Sequence, residues 1–144
     1  MVKVDLALGY YSKAETSCPP GDLHMRCYQI TAYGVSSVLQ PRLWKLVFDE
    51  RVEVHPIPAN YYGTWTLTAL DGSSDSLSGI THNLWYYSPE LWKVTGGTGA
   101  YAGAVDATPD GTAQDFSVRE FWVPTQGTYA PIPLAIGSLA FTIQ

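Results

Sequence analysis

The chain has 144 residues, enough for one domain with its own core. Its net charge is −5 and only 15% of its residues are charged, which excludes the clustered Lys and Arg that nucleic acid requires. No apolar run approaches the ~18 residues of a membrane-spanning helix, so no membrane partner is expected.

Hydrophobic residues make up 46% of the chain and aromatics 13%, with 10 Tyr and 5 Trp. Rings with a polar tip suit a wet-edged pocket or an interface, and they equally suit a β-rich core. The start, Met1-Val2-Lys3-Val4-Asp5, lacks a basic stretch followed by an apolar one, so no secretory leader is read. A cytoplasmic protein is the resulting expectation. The alternative is a secreted one whose leader was removed.

Val2 to Leu8 alternates apolar and polar residues, the pattern of a strand with one dry face. Gly9 to Cys27 is polar and carries Pro19-Pro20-Gly21, which predicts a loop or lid. Cys18 and Cys27 would close a small loop as a disulfide in an oxidising compartment and would stay free thiols in a cytosol; the cytoplasmic reading favours free thiols. With only His24 nearby, they fall short of a zinc site. A second strand is predicted from Tyr28 to Val38. A third occupies Leu43-Trp44-Lys45-Leu46-Val47-Phe48 and continues to Val52 and Val54.

Pro56 and Pro58 break the pattern. Tyr62 to Leu70 resumes it, with Trp65, Leu67 and Ala69 opposed to Thr64, Thr66 and Thr68. Asp71-Gly72 signals a turn. Ser76 to Tyr87 is the next strand, with Leu77, Gly79, Thr81, Asn83, Trp85 and Tyr87 on one face. Neither face is cleanly polar, which suits a barrel strand. After Ser88-Pro89-Glu90, Leu91 to Thr95 leads into a glycine-rich stretch. Thr108-Pro109-Asp110-Gly111 is a further turn. Ala113 to Val123 reads as a strand. Ile132 to Ile143 changes parity partway, which predicts a bulge at Gly137. No amphipathic helix is visible, so the fold class is all-β.

The glycine-rich stretch is Val94-Thr95-Gly96-Gly97-Thr98-Gly99-Ala100-Tyr101-Ala102-Gly103-Ala104. A phosphate cradle needs a helix directly after the loop. Here the chain continues through Val105-Asp106-Ala107 into a turn, with no Lys or Arg nearby. A strand-to-strand crossing, with glycine at a bulge or sharp bend, is the better reading.

The same stretch resembles a segment of the allene oxide cyclase and dirigent-protein superfamily. Gly63-Thr64-Trp65-Thr66-Leu67-Thr68 and Asp75-Ser76-Leu77-Ser78-Gly79 resemble that superfamily's middle strands more loosely. The resemblance implies a small eight-stranded antiparallel β-barrel with a hydrophobic central pocket, and a homodimer or homotrimer. It spans cyclases, bacterial spirotetronate-type polyketide cyclases and dirigent proteins, which only guide a coupling reaction. This chain has no Asn-x-Ser/Thr site, which disfavours the plant dirigent type.

No nucleophile elbow, metalloprotease motif or cofactor fingerprint occurs, so neither a cofactor nor a metal is expected. His24, His55 and His82 read as structural or solvated. Glu120 shares a strand face with Phe116, Val118 and Trp122. A carboxylate there is either paired, with Lys93 or Arg51 across the sheet, or raised in pKa as a pocket acid/base. Tyr87 is the second catalytic candidate, since a Tyr hydroxyl can polarise a carbonyl. Trp92, Trp122, Trp85, Tyr62 and Tyr101 are the candidate substrate-binding residues.

Two functions are expected from this set. One is a cofactor-free cyclase or isomerase that folds a hydrophobic polyketide- or polyene-like small molecule by shape and desolvation. The other is a non-catalytic dirigent-like or carbohydrate-binding barrel that uses surface aromatics. Aromatics converging in one barrel mouth favour the first, and aromatics on the outer surface favour the second.

Overall fold

The structure is a computed structural model that describes residues 2–21, 25–36, 42–53, 61–83, 90–108, 117–123 and 128–144. The described residues form nine strands: β1 (Val2–Thr16), β2 (Met25–Ser36), β3 (Arg42–Glu53), β4 (Tyr61–Ala69), β5 (Ser76–Asn83), β6 (Glu90–Thr98), β7 (Ala104–Asp106), β8 (Ser117–Val123) and β9 (Thr128–Ile143). They form one sheet in the order β6-β5-β4-β3-β2-β1-β9-β7, with β8 on β9. Every ladder is antiparallel. The fold is therefore all-β, as its alternating apolar pattern dictates.

One face of the sheet is dry. Ile30 and Ala32 on β2, Trp44, Leu46 and Phe48 on β3, and Trp65, Leu67 and Ala69 on β4 line it. Leu77, Trp92, Val94, Leu139 and Phe141 complete it from β5, β6 and β9. The alternation at Tyr62 to Leu70 marks this face, with Thr64, Thr66 and Thr68 exposed behind it. Two glycines make room for rings. A Cβ at Gly79 would overlap the Trp65 indole and the Lys93 carbonyl oxygen, and one at Gly63 would lie 2.9 Å from Phe48 Cε2. The buried indole N–H groups have acceptors: Trp44 Nε1–H donates to Ser36 Oγ at 2.7 Å and Trp65 Nε1–H to the Ile80 carbonyl at 3.2 Å. Leaving either unpaired would cost about 1–3 kcal/mol.

The glycine-rich stretch makes a bulge and then a tight return. The β5–β6 register shifts at Ser78–Gly79, leaving Thr95 as the extra residue. A 3-10 turn at Gly99–Tyr101 comes next, and Gly99 and Gly103 take positive φ, where a Cβ is strained. An ionic clamp holds this return. Arg42 reaches Asp71 at 2.8 Å and Asp75 at 2.7 Å, and Asp75 Oδ1 accepts the Ala100 N–H at 2.8 Å. Asp106 on β7 accepts the Val94 N–H of β6 at 2.9 Å. That side-chain bond connects the two ends of the strand order. No backbone ladder joins β6 to β7 among the described residues.

Several expectations change. The loop or lid at Gly9 to Cys27 is mostly strand, because β1 runs to Thr16 and pairs with β2 through Thr16↔Cys27. Ser12 to Thr16 are all exposed, so no apolar alternation marks them, and backbone pairing with β2 holds them in place. Only Ser17 to His24 separates the two strands. This hairpin sets Cys18 beside Cys27, and the two are disulfide-bonded with Cα atoms 5.3 Å apart, so they are not free thiols.

The bulge expected at Gly137 is absent from the β1–β9 ladder, which runs unbroken from Val2↔Phe141 to Leu8↔Ala135. The irregularity lies further back, where Arg119 pairs with Leu134 and Phe121 with Ala130. The intervening β9 residues include Pro131 and Pro133, which have no N–H to give a ladder. Finally, the candidate residues Trp92 and Trp122 lie on strands that are not neighbours among the described residues: β8 pairs with β9, and β6 with β5. Among the described residues, no ladder sets Lys93 or Arg51 opposite Glu120.

Candidate functional site

The expected substrate-binding aromatics separate into two groups. Trp92 is 2% exposed, with its ring 4.9 Å from Phe48 and 5.6 Å from Trp65, centroid to centroid. It belongs to the packed core. Tyr101 is half-buried against Trp44 (5.9 Å) and Phe141 (5.7 Å), so it plugs the core at the glycine return. Tyr62 stands on the opposite, outer face and is 37% exposed. Trp85 and Tyr87 lie outside the described residues. Glu120 and Trp122 lie on β8, and their side chains are likewise outside what is described.

The outer face carries a cleft of about 440 Å³. Register explains its floor. Thr16, Cys27, Arg51 and Tyr62 form one row across β1 to β4, and Gln29, Asp49 and Thr64 form the next. Paired residues of adjacent strands share a face, so these side chains project together. The disulfide then draws Ser17, Cys18 and Pro19 over the end of the two rows as a rim. Tyr62 adjoins the cleft, with its hydroxyl 3.9 Å from Met25 Sδ.

The chemistry of the lining is polar and mixed in sign. Asp49 accepts a hydrogen bond from Gln29 Nε2 at 3.0 Å through one carboxylate oxygen, which leaves the other to accept from a ligand. Arg51 supplies a guanidinium fork that only donates, and Thr16, Ser17 and Thr64 supply hydroxyls that do both. Donors and acceptors thus alternate over a few ångströms beside one exposed ring.

The inner face offers a second feature. Glu50, Gly63, Thr81 and Trp92 form a row across β3 to β6 at the edge of the aromatic layer. Thr81 is 2% exposed, and its Oγ1 has no hydrogen-bond partner; His82 Nδ1 is also buried without one. His24 and His55 lie outside the described residues. Among the described residues no group of three His, Cys, Asp or Glu side chains is placed to hold a metal ion. No helix there is long and apolar enough to cross a membrane.

Sequence reasoning missed Asp49 and Gln29, and it read Arg51 only as a partner for Glu120. They sit in the unremarkable polar positions of good strands, and only the register of β2, β3 and β4 brings them under the disulfide. Compared with known proteins, the chain matches no family model, no curated protein and no solved structure.

Proposed function

We propose that the chain is a binding module that takes an uncharged polyhydroxyl ligand, a carbohydrate, in the outer-face cleft beneath Cys18–Cys27. The observation that carries this reading is the cleft itself: about 440 Å³, lined by Asp49, Glu50, Arg51, Thr16, Tyr28 and Thr64, with Tyr62 beside Arg51 in the same row. A sugar ring has an apolar face that stacks on Tyr and an equator of hydroxyls that both donate and accept. The lining sets the Asp49 and Glu50 carboxylates against the Arg51 guanidinium, so an anionic ligand is disfavoured and a neutral one fits. The disulfide supports an oxidising compartment and a secreted protein.

The same reading takes the sheet as a closed small barrel of the allene oxide cyclase and dirigent type. The Asp106–Val94 hydrogen bond and the single core shared by β6, β7 and β9 support closure. A barrel packed in this way acts as a rigid support for an outer-face site.

The test is calorimetric titration with a panel of neutral oligosaccharides. Binding of one of them, lost in Asp49→Ala and weakened about tenfold or more in Tyr62→Ala, is expected, because stacked rings commonly rank among the dominant contacts. If no panel member binds, or if both variants bind as the parent does, the reading fails.

A second reading keeps the resemblance's cyclase or isomerase, acting on a hydrophobic small molecule. One observation favours it: the Thr81 hydroxyl, buried and unpartnered beside Trp92, is a polar group waiting for an acceptor or donor. Native mass spectrometry of the purified chain tests it. A co-purifying small molecule that is lost in Thr81→Val supports this reading, and a ligand-free mass counts against it.

A further inference from the structure

The floor of the cleft does not end at β4. Its row of Gln29, Asp49 and Thr64 runs on through Ile80 on β5 to Lys93 on β6. Ser17, Cys18 and Pro19 wall off the β1 end of the rows. Toward β5 the surface is open: Asp49 and Thr64 are exposed, Tyr62 is 37% exposed and Ile80 is 40% exposed.

Ile80 is out of character with its surroundings. The outer face of β4 carries Thr64, Thr66 and Thr68, and that of β5 carries Ser76 and Ser78. Each strand then places one large apolar side chain on that face, Tyr62 on β4 and Ile80 on β5, both at the cleft end. Ile80 pairs with Thr64, so Tyr62 is its diagonal neighbour, ~7–8 Å away, and the two form adjacent apolar platforms. His82 follows Ile80 on the same face, and its buried Nδ1 has no hydrogen-bond partner. The pattern of the cleft, an apolar surface with polar groups beside it, thus repeats one strand further on.

Strands lie ~4.8 Å apart, close to the advance of one ring along an extended sugar chain. One ring per strand therefore fits: over Asp49 on β3, over Tyr62 and Thr64 on β4, and over Ile80 on β5. We propose, building on the carbohydrate reading of the cleft, that the ligand is a linear neutral oligosaccharide of about three or more units laid across these strands, with Tyr62 and Ile80 as successive platforms. Covering part of the Ile80 side chain with the C–H face of a ring adds affinity that a single sugar unit, held in the cleft alone, does not gain. Chain length, and not only sugar identity, then sets specificity.

The test is calorimetric titration of the oxidised full chain with the cello- and manno-oligosaccharide series, each from monosaccharide to pentasaccharide. In the series that binds, affinity rises at least ~10-fold from the mono- to the trisaccharide and then levels off. Ile80→Ser lowers trisaccharide affinity at least ~5-fold and leaves that of the monosaccharide unchanged, whereas Ile80→Val keeps most of the gain. Folding is not at stake, because the side chain is exposed and the Trp65 indole bonds the Ile80 carbonyl, which every variant keeps. As a second readout, the trisaccharide shifts the Ile80 and Lys93 amide signals and the monosaccharide does not. Equal affinity for mono- and trisaccharide, or a trisaccharide that binds Ile80→Ser as it binds the parent, overturns the inference and leaves the cleft reading standing. A chain that binds no member of either series overturns the inference too, and the wider panel then decides the cleft reading.

Discussion

Trp92 decides between packing and substrate contact. In the structure it is 2% exposed and meets Phe48 and Trp65 at 4.9 and 5.6 Å. Trp92→Ala removes both ring contacts and leaves a void between two aromatic side chains that cannot close up, because β3, β4 and β6 are fixed by their ladders. Large-to-small changes of this kind cost about 3–5 kcal/mol, the transfer term and the cavity term together. A chain of this size loses roughly 2–4 °C of Tm per kcal/mol, so the expected fall is roughly 6–20 °C. Against a total stability of about 5–15 kcal/mol that is a large share. The assay is urea unfolding followed by intrinsic fluorescence, under conditions that keep the disulfide. Trp92→Phe keeps a ring in place and loses less than half as much. A Trp92→Ala chain that unfolds within about 1 kcal/mol of the parent would refute the packing argument, since a wall residue of an open pocket loses little on truncation.

Further expectations concern the supports of the site. Gly79→Ala forces a methyl into the Trp65 indole and the Lys93 carbonyl and lowers stability by about 2–3 kcal/mol or more, whereas Gly96→Ala, whose Cβ meets only Ser78 Oγ at 3.4 Å, stays within about 1 kcal/mol in the same unfolding assay. Reduction of Cys18–Cys27 by a dithiol releases a loop with a sequence separation of 9, lowering stability by about 3 kcal/mol in the chain-entropy account and loosening the rim of the cleft. Ligand affinity therefore falls on reduction. Acid exposes the ionic clamp. Hydrogen bonds from Ser73 and then Arg42 hold Asp71 down at about 2, below the ordinary carboxylate value of 3.8, and the Ala100 N–H and Arg42 lower Asp75. Their folded pKa values lie below the unfolded ones, so their contribution is present above pH ~4. It is lost as pH falls toward 2, and the urea midpoint drops over that window. Arg42→Ala flattens that drop.

The strands were legible where a dry face alternates with a wet one. Trp65, Leu67 and Ala69 against Thr64, Thr66 and Thr68 gave the face of β4 directly, whereas β5 was legible as a strand but not in its face, since both of its faces mix polar and apolar residues. The glycine-rich stretch was legible as a bulge and return because its composition leaves few alternatives. The far half of β1 was not, since Ser12 to Thr16 expose every residue and a strand without burial carries no periodic signal. Nor was the role of Trp92. The ring packs inside because Gly63 and Gly79, on neighbouring strands, leave room for Phe48 and Trp65, and that depends on register between strands far apart in sequence. Cys18 and Cys27 were visible as a pair, but their oxidation state depended on the hairpin, which the polar stretch concealed. The cleft was invisible for the same reason: Gln29, Asp49, Arg51 and Thr64 come from three strands and converge only through the ladders.

The most direct test of the central claim is a two-dimensional amide spectrum of the oxidised chain, titrated with the best-binding oligosaccharide. A site on the outer face predicts shifts in the amides of Cys27, Asp49, Arg51, Tyr62 and Thr64, with the Trp92 indole N–H unmoved. Shifts centred on the Trp92 indole and Thr81, with the outer-face amides still, would contradict the account and place the ligand on the dry inner face of the sheet.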